Sequence, residues 1–137
     1  MTLAIILFFP MASKGQEIVA GTWIMDVNSV EKEMKTGDRE TLSKLPNHKR
    51  TSVMDEIGSR TFTFSEDGSF RAEWIFRGMQ EKMTGKWHME GEELFIESNF
   101  GSKSYVVQVS NEQKLILIPN ANTGFFQKLI FNKQELP

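Results

Sequence analysis

The sequence predicts an all-β domain, with eight antiparallel strands in up-and-down order closed into a barrel and a helical insert between the first two strands. Three features lead to it. Apolar residues recur with a period of two almost everywhere after Gln16. Three successive tight turns place apolar side chains on one common face. Each strand is half apolar and half charged, so an open sheet would leave one greasy face in water. Closure removes that face, and eight strands suffice for it. A length of 137 residues fits one domain.

In chain order, Leu3–Ala12 (LAIILFFPMA) is too short to span a bilayer, which takes roughly 20 apolar residues. It suits a secretory core of about 7–15. Ser13 and Gly15 place small residues before a cleavage point at Gln16. Residues 1–15 are therefore expected to be a signal peptide, although a basic leading region is missing. A buried strand or an uncleaved anchor is the other reading of this segment. With no cysteine in the chain, an exported product suits a bacterial periplasm or cell surface. Residues 16–137 form the domain.

The first strand, Gly21–Val27, puts Trp23, Met25 and Val27 on one face. Asn28–Ile57 then breaks the alternation, being polar and poor in β-formers. Ser29, Asp38 and Asn47 are read as caps of three short helices filling 29–57, with Leu42, Leu45, Val53, Met54 and Ile57 as their apolar residues and Pro46 as a break. So few apolar positions suggest a lid over an opening or an edge.

The second strand carries Phe62 and Phe64, and the third Phe70, Ala72, Trp74 and Phe76. The fourth aligns Met83, Gly85, Trp87 and Met89. A three-residue turn at Glu66–Gly68 pairs Phe64 with Phe70. A turn at Gly78-Met79 pairs Trp74 with Met83, and one at Glu90-Gly91 pairs Trp87 with Leu94. Leu94 and Ile96, then Tyr105, Val107 and Val109, then Leu115 and Leu117, and finally Phe125, Leu129 and Phe131 supply four more strands.

Composition excludes several functions. Lys and Arg total 16 against 18 Asp and Glu, too balanced for a nucleic-acid surface. The run His48-Lys49-Arg50 is offset by Asp55 and Glu56 and reads as a solvated helix face. Without cysteine there is no thiolate ligand or nucleophile. His88 lies on an outward register with only Glu90 and Glu92 nearby, short of a metal site. No acid–base pair or triad spacing stands out, so neither an enzyme nor a cofactor is expected.

Three local motifs carry a family resemblance. Gly21-Thr22-Trp23 resembles the G-x-W signature that opens lipocalins. Phe64–Phe70 (FSEDGSF) and Gly85–Leu94 (GKWHMEGEEL) are similar to the F-x-x-D-G-x-F and G-x-W-x-x-x-G-x-x-L of short bacterial lipocalin-like, calycin-type domains. The resemblance covers residues 19–133. It implies a small β-barrel and export to the envelope, and larger relatives carry small apolar molecules. The late T-D-Y-type turn of lipocalins is absent here, and so is the arginine that packs across the first tryptophan. Lys128 or Lys133 is a candidate to replace it by laying its stem over Trp23. The insert resembles that of fatty-acid-binding proteins, but their terminal Arg-x-Tyr clamp is replaced by Phe131-Asn132-Lys133.

The functional question is then whether the barrel is hollow. Trp23 reads as a plug at one end. Met25, Phe62, Phe64, Trp74, Phe76, Met83 and Trp87 are either a solid core or the lining of an apolar site, which would open toward the insert near Phe76, Met83 and Met25. A monomer that binds or carries a small hydrophobic molecule is the leading expectation. A solid-core envelope module contacting a protein partner through its surface is the alternative. Phe125 and Phe126 are adjacent, so one of them should face outward.

Overall fold

The computed structural model describes residues 18–111, 113–121 and 127–134. Residues 1–15, expected to be a signal peptide, and the Phe125-Phe126 pair lie outside them. Among the described residues, eight antiparallel strands follow one another round a closed barrel. They are β1 (Gly21–Met25), β2 (Thr61–Phe64), β3 (Ser69–Phe76), β4 (Met79–Glu90), β5 (Glu93–Ser98), β6 (Gly101–Ser110), β7 (Lys114–Pro119) and β8 (Leu129–Lys133). The last strand returns to the first, with Trp23 opposite Lys133 and Met25 opposite Phe131. The helices α1 (Val27–Lys32), α2 (Thr36–Ser43) and α3 (Asn47–Gly58) lie between β1 and β2.

The alternation does what period two requires. Phe62, Phe64, Phe70, Ala72, Trp87, Leu94, Ile96, Leu115, Leu117 and Phe131 are all buried, while their strand neighbours are more exposed. The β2–β3 hairpin has the expected register, Phe64 opposite Phe70 and Phe62 opposite Ala72. Gly68 takes the left-handed position (φ 91). The Asp67 carboxylate accepts from the Ser69 amide at 2.9 Å and hydroxyl at 2.6 Å, and these bonds hold it below the usual carboxylate range.

Two turns differ from expectation. The β3–β4 turn is Arg77-Gly78, not Gly78-Met79. Both residues are left-handed (φ 53 and 78), as a type I′ turn demands. Trp74 therefore faces Glu81 rather than Met83, and Phe70 faces Gly85. The β4–β5 turn is Gly91-Glu92, so Trp87 faces Ile96 rather than Leu94. Each register moves by two residues, which preserves the face of every side chain. An arginine in left-handed geometry is unusual. The Glu56 carboxylate accepts its amide at 3.0 Å and so supports it.

The insert starts earlier than the sequence suggests. Asp26, not Ser29, caps α1, accepting the Ser29 amide at 3.3 Å and hydroxyl at 2.9 Å. Val27 consequently belongs to the helix, not to the inner face of β1. Lys35 rather than Asp38 precedes α2, and Pro46 rather than Asn47 precedes α3. Proline suits that place, because the first helical amides have no partner within the helix anyway. Val30, Met34, Leu42 and Ile57 are buried and join the barrel's hydrophobic cluster. In an up-and-down barrel the link from β1 to β2 sits at one end, so the insert caps that end. It packs α1 on β8 and α3 on β1 and β3.

Candidate functional site at the capped end of the barrel

The two ends of the barrel differ in chemistry. At the end away from the insert, Trp23 is fully buried and its indole N–H donates to the Val19 carbonyl at 2.8 Å. Lys133, not Lys128, lies over that ring, with Nζ 4.7 Å from the ring centre and donating to the Ala20 carbonyl at 3.0 Å. Lys128 instead points to Glu33, 3.9 Å away. Gly21 (φ 136) makes the crossing feasible, since a Cβ there would meet Lys133 Nζ at 2.5 Å.

Above this plug stands a stack of rings. Phe62 lies 5.3 Å from Phe70 and 4.8 Å from Phe131, and Phe64 lies 5.2 Å from both Phe70 and Trp87. These are packing distances for aromatic pairs. The Trp87 indole N–H donates to the Ser65 carbonyl at 2.8 Å. Of the expected lining residues, Phe62, Phe64 and Trp87 thus sit in this ring stack.

The others lie toward the insert. Met25 is buried opposite Phe131. Trp74 and Met83 are half-buried against the core. Phe76 is 48% exposed, with the Arg77 guanidinium 5.1 Å from its ring centre. Met79, directly opposite Phe76 on the same face, is 67% exposed. Met79 is thus a strand residue and not part of the turn. The β3–β4 hairpin therefore runs beyond the barrel wall, since β2 pairs with β3 only as far as Glu73 and β5 joins β4 only from Gly85.

Side chains tie this projecting ribbon to α3. Ser59 Oγ accepts the Ile75 amide at 2.9 Å, and Glu56 accepts the Arg77 amide. A cleft of about 310 Å³ lies between them, lined by His48, Thr51, Ser52, Asp55, Glu56, Ile75 and Gly78. His48, Asp55 and Glu56, far from the lining expected on sequence grounds, meet here. A second, outer cleft of about 500 Å³ follows Asp67–Ser69 and Gly85–His88 to Glu97. His88 is outward, 2.8 Å from Glu90 and stacked on Phe95.

Two polar residues of the barrel's inner face were not singled out as site residues from the sequence. Arg60 precedes β2; its amide donates to the Ile57 carbonyl at 3.3 Å and its carbonyl accepts the Met25 amide at 2.9 Å. It stands two residues before Phe62 and four before Phe64, hence on the inward register. Tyr105, opposite Leu94, is 6% exposed. Burial pulls the Arg60 guanidinium below its ordinary pKa, against an opposing pull from Tyr105. Burial raises the Tyr105 phenol, and Arg60 opposes that rise. The extension of the Phe62/Phe64 parity by one step to Arg60 is the signal in the sequence that points to this residue.

Solved structures with this architecture exist. A lipocalin-like protein from Bacteroides uniformis ATCC 8492 superposes with a TM-score of 0.54 at 17% identity, covering 85% of this chain and 99% of its own. The chain has a lipocalin-like fold. An uncharacterized protein from Bacteroides eggerthii DSM 20697 superposes with a TM-score of 0.52 at 17% identity, covering 84% and 98%. No family model and no curated protein matches the sequence. In this lipocalin-like barrel, both the local motifs and the chain order of strands and insert agree with the resemblance read from the sequence.

Proposed function

We propose that this lipocalin-like protein is exported and binds one small hydrophobic molecule at the insert-capped end of its barrel. One observation carries the reading. Along the inward register of β3, exposure rises from 2% at Phe70 and 0% at Ala72, through half-buried Trp74, to 48% at Phe76. An inward-facing apolar stripe left in water at one end, next to a lid of helices, is the surface an apolar ligand would cover. Met79 and Met83 face it across the hairpin, Met25 is buried on β1, and methionine adapts to varied ligand shapes. Apolar burial would drive binding. Met25, Trp74, Phe76 and Met83 are then the contact residues, with Phe62, Phe64 and Trp87 as the floor beneath them.

Native mass spectrometry of the protein purified from the producing cell's envelope tests this. The expected result is a polypeptide beginning at Gln16 with a reproducible non-covalent adduct, released by organic extraction. A clean apoprotein mass with no uptake of an apolar dye would favour the second reading. In that reading the ring stack of Phe62, Phe64, Phe70, Trp87 and Phe131 continues as a solid interior and the protein works through its surface. Recovery of the chain in the cytosol, with Leu3–Ala12 intact, would overturn export.

A further inference from the structure

We propose that the projecting β3–β4 hairpin recognises a cation, so that the ligand is an apolar molecule carrying one quaternary ammonium or amine head, held between the Glu81 carboxylate and the rings of Trp74 and Phe76. This rests on the binding reading above and names the class of ligand. Glu81 is the one charged residue on the inner register of this hairpin. Every other residue on that register is apolar or glycine, from Phe70 to Phe76 on β3 and from Met79 to Met89 on β4. Glu81 stands directly opposite Trp74, with Met79 and Met83 flanking it two residues away on its own strand. Residues so paired have Cβ atoms about 4.5–5.5 Å apart, so the carboxylate and the indole share one space. The neighbouring pair toward the tip is Phe76 and Met79.

Each of the three side chains is open to a cation. The Glu81 carboxylate has no hydrogen bond or ion pair with any described residue, whereas Glu73 on the outer face of the same hairpin meets Arg71 at 3.5 Å. The indole N–H groups of Trp23 and Trp87 donate to carbonyls, but that of half-buried Trp74 has no acceptor among the described residues, and its ring pairs with no other ring there. Phe76 shows what its exposed face accepts: the Arg77 guanidinium lies 5.1 Å from the ring centre, inside the about 6 Å over which an aromatic quadrupole attracts a cation. Arg77 is itself exposed, so a ligand's ammonium can take its place on that ring. Aromatic faces beside a carboxylate are the chemistry that selects quaternary ammonium groups. The apolar body of such a molecule would cover Met79 and Met83, while Glu81 would repel an apolar acid.

The test is a set of fluorescent probes that share one apolar body: diphenylhexatriene, its trimethylammonium derivative and its propionic acid derivative, titrated into the purified protein. The wild type is expected to bind the trimethylammonium probe at least about fivefold more tightly than the neutral one, the scale of a cation–π contact beside an exposed ion pair, and to bind the acid most weakly. Glu81→Gln should bring the cationic and neutral probes within about twofold of each other, with the neutral probe itself changed by less than about threefold. Trp74→Leu should reduce the preference partly. Thermal unfolding of each variant checks folding. Equal binding of the cationic and neutral probes by the wild type, or a preference for the acid, would overturn the cation site and leave the hydrophobic site standing. That result does not depend on any variant folding. A folded Glu81→Gln protein that keeps the cation preference would also overturn it. Flotation of the protein with phosphatidylcholine vesicles, with no trimethylammonium probe bound in their absence, would overturn a free ligand in favour of a lipid headgroup. Binding of no probe and no vesicle would overturn the hydrophobic-ligand reading and the cation site with it.

Discussion

Single side chains fix the ends of this barrel. Trp87 is 3% exposed, its ring lies against Phe64 and its N–H is satisfied by Ser65. Trp87→Ala should cost about 3–5 kcal/mol, read from denaturant unfolding, because it leaves a cavity and removes one of the two hydrogen bonds that the Ser65 carbonyl accepts, the other coming from the Gly68 amide. Asp26 couples charge to the first helix. Its burial alone would raise the carboxyl, but the hydroxyl and amide of Ser29, then Asn132, with Lys114 nearby, hold it below the usual range. A carboxyl lowered by folding stabilises the native state above its unfolded pKa and loses that contribution as pH falls through the folded value. Stability should therefore decline on acidification below about pH 4–5, and Asp26→Asn should flatten that decline in melts run across this range. Asp26→Ala should in addition cost about 1 kcal/mol at neutral pH through loss of the cap.

At the level of elements, the β3–β4 hairpin does two jobs along its length. Its lower half is core, with Phe70, Ala72 and Trp87 buried. Its upper half, from Trp74 to Met83, leaves the wall and is held by Ser59 and Glu56. Phe76→Ala should change stability by less than about 1 kcal/mol, since the ring is half in water, yet weaken binding of an apolar probe. Equal, severe unfolding of Phe76→Ala and Trp87→Ala would count against a binding site there. Between the halves, Gly85 lets β4 change partners. A Cβ at that position would run into the backbone of Glu97 and Ser98. Gly85→Ala should destabilise by about 2 kcal/mol or more, because a backbone obstacle cannot rotate away as a side chain can.

Across the whole molecule, closure divides stability unevenly. The ring stack and the Trp23 plug concentrate burial at one end, while the other end holds the exposed Ile75, Phe76, Met79 and Phe100 and a lid of three short helices. Regions with few buried contacts open at lower free energy than the core. Hydrogen exchange should therefore be slowest for β1, β2 and the first half of β3, and fastest for residues 75–83 and α2. A bound apolar ligand should slow exchange at residues 74–83 before anywhere else. Uniform exchange around the barrel would contradict this division into a rigid base and a pliable mouth.

Much of this architecture is legible in the residues themselves. The alternation of Phe62, Phe64, Phe70 and Ala72, and the Asp67-Gly68 turn, determine which face is buried and that the strands run antiparallel, because a period of two and a left-handed glycine are local properties. The Arg77-Gly78 turn was misplaced by one residue, and the two following registers by two. A non-glycine residue in left-handed geometry depends on Glu56, 21 positions earlier in the chain. The caps of the insert moved for a similar reason, since Asp26 is drawn into its role by the end of β1 and by Lys114, 3.5 Å away on β7. By itself the sequence determined the pattern of inside and outside and the order of elements. Only the tertiary structure decided which lysine covers Trp23, and that the rings pack closely at one end and thin out at the other. Those facts depend on closing β8 onto β1, which brings together side chains far apart in the chain, and no local period encodes such a meeting.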